Sequence, residues 1–167
     1  LKTGMPLVRK RLTIDGDALV LQCNINVPIG AYVSDIIDSI GGVKETPSKI
    51  IMGGSMMGIA MDRMDFGIIK GNNAILVLDS RQASIPVETQ CIRCSRCIDA
   101  CPMHLIPTTI DVMARTKDLD GLRKYNAGDC FECGCCSYVC PAKRYLVQSI
   151  RYGKNLLKYE DAKYDKC

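Results

Sequence analysis

Apolar and polar residues alternate from Leu19 to Val27. Leu19, Leu21, Cys23, Ile25 and Val27 fall on one side of an extended chain, and Val20, Gln22, Asn24 and Asn26 on the other. A period of two predicts a strand with one buried face. It places Cys23 among the core positions, where an isolated cysteine acts as a small hydrophobe. The period then changes. Val33, Ile36, Ile37 and Ile40 are spaced i, i+3, i+4, i+7, which is one apolar face of a helix. Gly41-Gly42 predict its end, because glycine enters the left-handed conformation beyond a helix at low cost. The runs 49–52 and 74–78 are short, apolar and rich in β-branched residues, as expected of buried strands. Between them lies Gly53-Gly54-Ser55-Met56-Met57-Gly58, without the Gly-x-Gly-x-x-Gly spacing of a phosphate cradle and with no helical pattern after it. A tight turn with methionines as gap-fillers is expected there. These elements predict a small sheet carrying one helix.

Polar residues around Pro86, over 81–90, read as a linker. Beyond them the apolar positions follow a helical period. Pro107 can open a helix, where its missing N–H costs nothing. Ile110, Met113 and Ala114 share one face, Leu119 and Leu122 make a second short face near Gly128, and Leu146, Val147 and Ile150 begin a third. The second half is therefore expected to be mainly helical.

Composition narrows the function classes. At 167 residues one or two domains are expected, burying roughly 70% of the unfolded surface. Apolar content of 47% and charged residues of both signs argue against disorder. No run reaches the ~18 apolar residues of a membrane span. No signal-peptide pattern follows Leu1, and a start without Met reads as a fragment or a processed chain. The net charge of +4 is unevenly placed: residues 1–90 hold nine Lys/Arg and nine Asp/Glu, and residues 91–167 hold thirteen and nine. Of the eleven cysteines, Cys23 alone precedes residue 91. Both shifts predict a domain boundary near that point.

The cysteines carry the chemistry. Cys91, Cys94, Cys97 and Cys101 form C-x2-C-x2-C-x3-C before Pro102, and Cys130, Cys133, Cys136 and Cys140 repeat the spacing before Pro141. A disulfide framework needs an oxidising compartment, and nothing indicates export. Zinc sites pair cysteines across a longer spacer. Three thiolates at steps of three suit three corners of an iron–sulfur cubane, with the fourth cysteine reaching across to the other cluster. This wiring assigns Cys91, Cys94, Cys97 and Cys140 to one 4Fe-4S cluster, and Cys130, Cys133, Cys136 and Cys101 to another. Each cluster then ties together distant segments, so assembly is also folding. Arg93, Arg96, Lys143 and Arg144 lie beside the ligands, either as solvated charges or as cations that favour the reduced cluster. Cys135 and Cys167 are expected to be bystanders, and His104, the one histidine, is not expected to be a ligand. Two oxidised clusters with four thiolates each carry −2 apiece, which offsets the +4 and weakens a nucleic-acid reading.

Through these motifs the sequence resembles the C subunit of the Rnf electron transport complex, over about residues 6–155. The resemblance rests on Cys91-Ile-Arg-Cys-Ser-Arg-Cys-Ile-Asp-Ala-Cys-Pro-Met, on Asp129-Cys-Phe-Glu-Cys-Gly-Cys-Cys-Ser-Tyr-Val-Cys-Pro-Ala-Lys-Arg, and on the Gly53–Gly58 and Lys70-Gly71 stretches before them. It implies an α+β chain: a β-grasp domain of the soluble-ligand-binding (SLBB) type over 1–82, a linker over 83–90, a mainly helical dicluster ferredoxin domain over 91–155, and a charged tail over 156–167. It implies an electron-transfer subunit without catalytic residues of its own, serving a ferredoxin:NAD oxidoreductase that moves ions. FMN and NAD(H) would belong to an N-terminal half not in this sequence. Partners would be the complex's membrane and iron–sulfur subunits, with ferredoxin beyond them. The place would be the cytoplasmic face of a prokaryotic membrane, as a peripheral subunit. Ala31-Tyr32 stand where the family commonly has Thr-Pro at a helix start, and Ser55 where it usually has Pro. Two other readings remain open: a soluble relative such as a corrinoid reductase, and a scaffold whose clusters only stabilise a docking surface.

Overall fold

The computed structural model describes residues 4–164. The chain divides into two compact units between Ile85 and Pro86.

The first unit is a mixed five-stranded sheet with one helix. Its elements are β1 (Arg9–Asp15), β2 (Cys23–Pro28), α1 (Val33–Ser39), β3 (Lys49–Met52), β4 (Ile59–Met61) and β5 (Ala74–Leu78). The strand order is β2-β1-β5-β3-β4. The central pair β1·β5 is parallel, with Ile14 opposite Ile75, and the other pairs are antiparallel. Val33, Ile36 and Ile37 of α1 pack with Leu12, Ile14, Ile75 and Val77 in one apolar core, as the helical spacing predicts. Gly41 and Gly42 follow the helix at φ +105° and +77°. Tyr32, at the N-cap, offers no side-chain hydrogen bond.

Several expectations change. The strand predicted from Leu19 begins at Cys23; Leu19 is buried but only bridges Val43, and Leu21 is 52% exposed. Cys23 is half-buried at the strand's start instead of deep in the core. Strands β1 and β4 carry no apolar alternation strong enough to announce them. In β1 only Leu12 and Ile14 face the core, between charged and polar neighbours. The Gly53–Gly58 turn closes the β3–β4 hairpin, with the Gly58 N–H donating to the Gly54 carbonyl at 2.7 Å. A Cβ on Gly58 would lie 2.4 Å from the Ile51 side chain, so glycine is needed for packing here. Met56 and Met57 are exposed and fill no gap.

The second unit is helical: α2 (Arg96–Asp99), α3 (Pro107–Thr116), α4 (Leu119–Lys124), a 3₁₀ turn (Ala127–Asp129), α5 (Cys135–Tyr138) and α6 (Leu146–Tyr164). Pro107 stands in the first turn of α3. Asp118 caps α4, its carboxylate accepting from the Gly121 N–H at 2.9 Å, worth about 1 kcal/mol. Ile110, Ala114, Leu122 and Ile150 are fully buried together. Gly153 of α6 lets α3 approach: a Cβ there would lie 3.1 Å from the Ala114 methyl and 2.9 Å from Leu122. Residues 156–164, expected as part of a charged tail, are the last turns of α6. Leu157 buries an apolar side chain there, and Asp161 accepts from Arg123 at 2.7 Å.

The expected linker over 83–90 is not loose. Ala83 is buried and its carbonyl accepts from Lys49 at 3.0 Å within the first unit. In the second unit the Tyr145 hydroxyl donates to the Pro86 carbonyl at 2.6 Å, and the Thr89 N–H to the Ala142 carbonyl at 3.0 Å. Glu88 accepts from Arg115 at 2.6 Å.

Asp111 anchors this arrangement. It is fully buried on α3 and accepts from Arg115 Nε at 2.7 Å and from the Arg144 guanidinium. Burial alone would raise its pKa, but hydrogen bonds from Ser149, Arg144 and Arg115 outweigh burial and hold it below the usual carboxylate value. The folded pKa lies below the unfolded one, so this stabilisation is present above about pH 4 and is lost as pH falls through the folded value. Asp111→Ala, which leaves two guanidinium groups without their buried partner, is expected to cost about 3 kcal/mol in urea unfolding at pH 7. The difference from wild type should shrink on acidification; a difference that grows would contradict the assignment.

Candidate iron–sulfur centres

The two cysteine motifs build the same backbone twice. Each cysteine of the first lies 39 positions before its counterpart, as 91 to 130 and 101 to 140. In the first loop Arg93, Ser95 and His104 adopt left-handed φ values of +57°, +61° and +52°. Their counterparts Glu132, Gly134 and Lys143 do the same at +64°, +86° and +52°. Non-glycine residues occupy that region rarely, so five of them in matched positions mark a conformation imposed by the loop. The repeat extends beyond the cysteines. Short helix α2 matches α5, and α3 begins at Pro107 as α6 begins at Leu146, again 39 positions apart. Ala114 and Gly153 are counterparts too, and they meet where α3 and α6 pack together.

This doubling turns the fourth cysteine of each motif toward the other motif. One pocket is lined by Cys101 together with Cys130, Cys133 and Cys136. A second is lined by Cys140 together with Cys91, Cys94 and Cys97. The eight cysteines named from spacing thus gather into two fours, each holding three from one motif and one from the other. Cys135 lines neither pocket, although its thiol hydrogen-bonds Cys133. His104 is exposed and lines neither. Cys167 lies outside the described residues.

Backbone N–H groups point at the sulfurs. Arg93 donates to Cys91 Sγ and Glu132 to Cys130 Sγ, both at 3.4 Å, through the left-handed residue two places on. Leu105 donates to Cys101 Sγ at 3.4 Å. Such bonds favour an electron-rich sulfur. Burial acts the other way on the free thiols: it pushes Cys97 and Cys130 up, and Cys136 up to about 12. Deprotonation at these positions is therefore a step that a bound cation must drive. Among the described residues no three His, Cys, Asp or Glu side chains converge closely enough to hold a single metal ion. The sulfurs instead surround each space. Four thiolates around a walled pocket, with N–H groups aimed at sulfur, fit a 4Fe-4S cluster.

The charges beside the ligands differ between the two pockets. Glu132 is held by Arg151 at 2.6 Å and Lys154 at 2.7 Å, both from α6, and Lys154 also donates to the Cys130 carbonyl at 2.6 Å. Arg144 is bound to Asp111 and is not a solvated charge. Arg93, Arg96 and Lys143 are exposed. The spacing alone does not point to Glu132, Arg151 and Lys154 as a cluster-side network, since they are acidic and basic residues far apart in sequence.

Comparison with known proteins agrees with the chemistry. A family model described as a 4Fe-4S dicluster domain matches residues 90–143. The chain is 46% identical over 154 residues to the C subunit of the proton-translocating ferredoxin:NAD(+) oxidoreductase complex of Clostridium ljungdahlii, covering 91% of this chain and 34% of that protein. It is 42% identical over 152 residues to the C subunit of the Na(+)-translocating complex of Acetobacterium woodii, covering 91% and 34%. It is 39% identical over 151 residues to the C subunit of an ion-translocating oxidoreductase complex of Methanosarcina acetivorans, covering 90% and 34%. The chain spans about a third of the length of these curated relatives.

The pocket linings separate two adjacent cysteines. Cys135→Ala is expected to retain the full iron content of the anaerobically purified chain, and Cys136→Ala to lose about half of it. Equal losses from both would mean that Cys135 is a ligand.

Proposed function

We propose that this chain, a homologue of the C subunit of the ion-translocating oxidoreductase complexes, relays electrons through two 4Fe-4S clusters in its second unit. Cys91, Cys94, Cys97 and Cys140 would hold one, and Cys130, Cys133, Cys136 and Cys101 the other. The observation that carries this reading is the pair of four-cysteine pockets, each assembled from both motifs. A 4Fe-4S cluster takes up and releases one electron at a time. The chain's own part is to orient four thiolates per site, direct N–H groups at Cys91, Cys101 and Cys130, and place an apolar wall between the sites. Leu146 and Val147 form that wall, buried in one cluster of side chains with Cys97 of one site and Cys136 of the other.

The first unit is read as a β-grasp domain of the SLBB type. Its support is the sheet order, with a parallel central pair, a flanking hairpin on each side and a helix crossing between them. In the assembled complex the chain would act beside flavin and NAD(H) sites carried by other parts of the protein. It would meet the complex's membrane and iron–sulfur subunits at the cytoplasmic face. Among the described residues no helix is long and apolar enough to cross a membrane.

Anaerobically purified chain should bind about eight iron atoms and, when reduced, give the EPR spectrum of two interacting 4Fe-4S clusters. Iron near two atoms per chain, or stoichiometric zinc, would sink the proposal. Clusters that resist reduction throughout a redox titration would favour the scaffold reading instead.

A further inference from the structure

The two cluster pockets are near copies in backbone and differ at the surface. In the first loop Ile92, Arg93, Cys94, Ser95 and Arg96 are all exposed, Ile92 to 66%, and Cys94 is the one exposed cysteine of the eight. Lys143, two residues past Pro141 of the same pocket, is exposed as well. None of Arg93, Arg96 and Lys143 forms a salt bridge among the described residues. Asp99, on the same short helix as Arg96, pairs with none of them. At the second loop the counterpart of Arg93 is Glu132, half-buried and bound by Arg151 and Lys154, and Cys133 is half-buried.

We propose that the first loop is the port through which this chain exchanges electrons with an acidic redox protein, docked on Arg93, Arg96 and Lys143 over Cys94. The inference rests on the relay reading and adds a direction to it: one loop presents free cations around an exposed ligand, and the other does not. The partner's chemistry follows from the surface. The three cations balance the two negative charges of an oxidised cluster with four thiolates and the one of Asp99, and they stand at the surface as cations without a salt-bridge partner. An acidic face is complementary to these exposed cations and is oriented by them on contact. Ile92 supplies an apolar contact within the charged rim, and the exposed Cys94 ligand shortens the path from cluster to partner. An anionic lipid surface would use the same cations, but it has no use for a cluster ligand exposed among them.

The test uses the full chain with its clusters in place and, as probe, a reduced acidic two-cluster ferredoxin mixed by stopped flow. Arg93→Glu, Arg96→Glu and Lys143→Glu are combined in one variant. Glutamate is compatible with the backbone at position 93, because Glu132 holds the matching left-handed conformation. A second variant with Lys117→Glu, Lys124→Glu and Lys158→Glu changes the net charge equally at exposed sites outside both pocket linings. Iron content and the reduced EPR spectrum verify that each variant keeps its clusters. The expected result is a fall of roughly tenfold or more in the second-order rate for the first variant, with its salt dependence flattened, and a much smaller change for the second. Equal falls in both, or no fall in either, overturn the port. Charge-dependent binding to phosphatidylserine vesicles with an unchanged electron-transfer rate would assign the cations to a lipid surface and also overturn it. A wild-type chain without reducible clusters overturns the relay reading along with the port, whereas unchanged rates with reducible clusters overturn the port alone.

Discussion

The crossing of Cys101 and Cys140 is the constraint from which the second unit follows. Each of these cysteines sits just before a proline and lines the pocket built by the other motif. Neither four-thiolate pocket can form until both loops are in place and exchange their last members. The two helices that follow the motifs, α3 and α6, must then lie close together, and Gly153 against Ala114 is where they do so. Asp111, with Arg144 and Arg115, ties α3 to the segment just after the second motif. The packing serves the exchange, and the exchange holds together segments some 40 residues apart in sequence.

How far this can be read from the chain depends on which signal each element leaves. The cysteine spacing is a geometric statement, so the gathering of eight cysteines into two crossed fours is legible before any fold is known. Helices α1, α3 and α4 are legible because their apolar residues sit on one face, and β3 and β5 because they are short apolar runs. Strand β1 escapes such a reading because its core positions, Leu12 and Ile14, are embedded among charged and polar residues; pairing to β2 and β5 fixes it, and pairing leaves no local trace. The extent of α6 escapes for a related reason. Residues 156–164 look like a polar tail, and a single buried Leu157 with a bridge from Arg123 keeps them helical.

The charged residues beside the ligands show a second limit. In sequence Arg93, Arg96, Lys143 and Arg144 form one basic set. The structure separates them: Arg144 belongs to the buried Asp111 anchor, and the other three face solvent. The network of Glu132, Arg151 and Lys154 joins residues about 20 positions apart on a loop and a helix, which no pattern of spacing connects. Duplication makes the difference informative. Two loops that fold alike but carry opposite charges at the same position, Arg93 and Glu132, have separate surroundings while keeping one geometry.

The apolar wall of Leu146 and Val147, buried with Cys97 and Cys136, has one more consequence. Water that reorients around a changing charge slows its movement, because solvent dipoles must rearrange before an electron can settle at the new place. Between two occupied pockets this wall holds few dipoles free to turn, and its packed side chains keep their positions whichever side carries the charge. Passage between the halves would then depend on distance and on the relative potentials of the two sites. It would owe little to the rearrangement of the medium, and an electron entering from one surface could reach the other side without a conformational change.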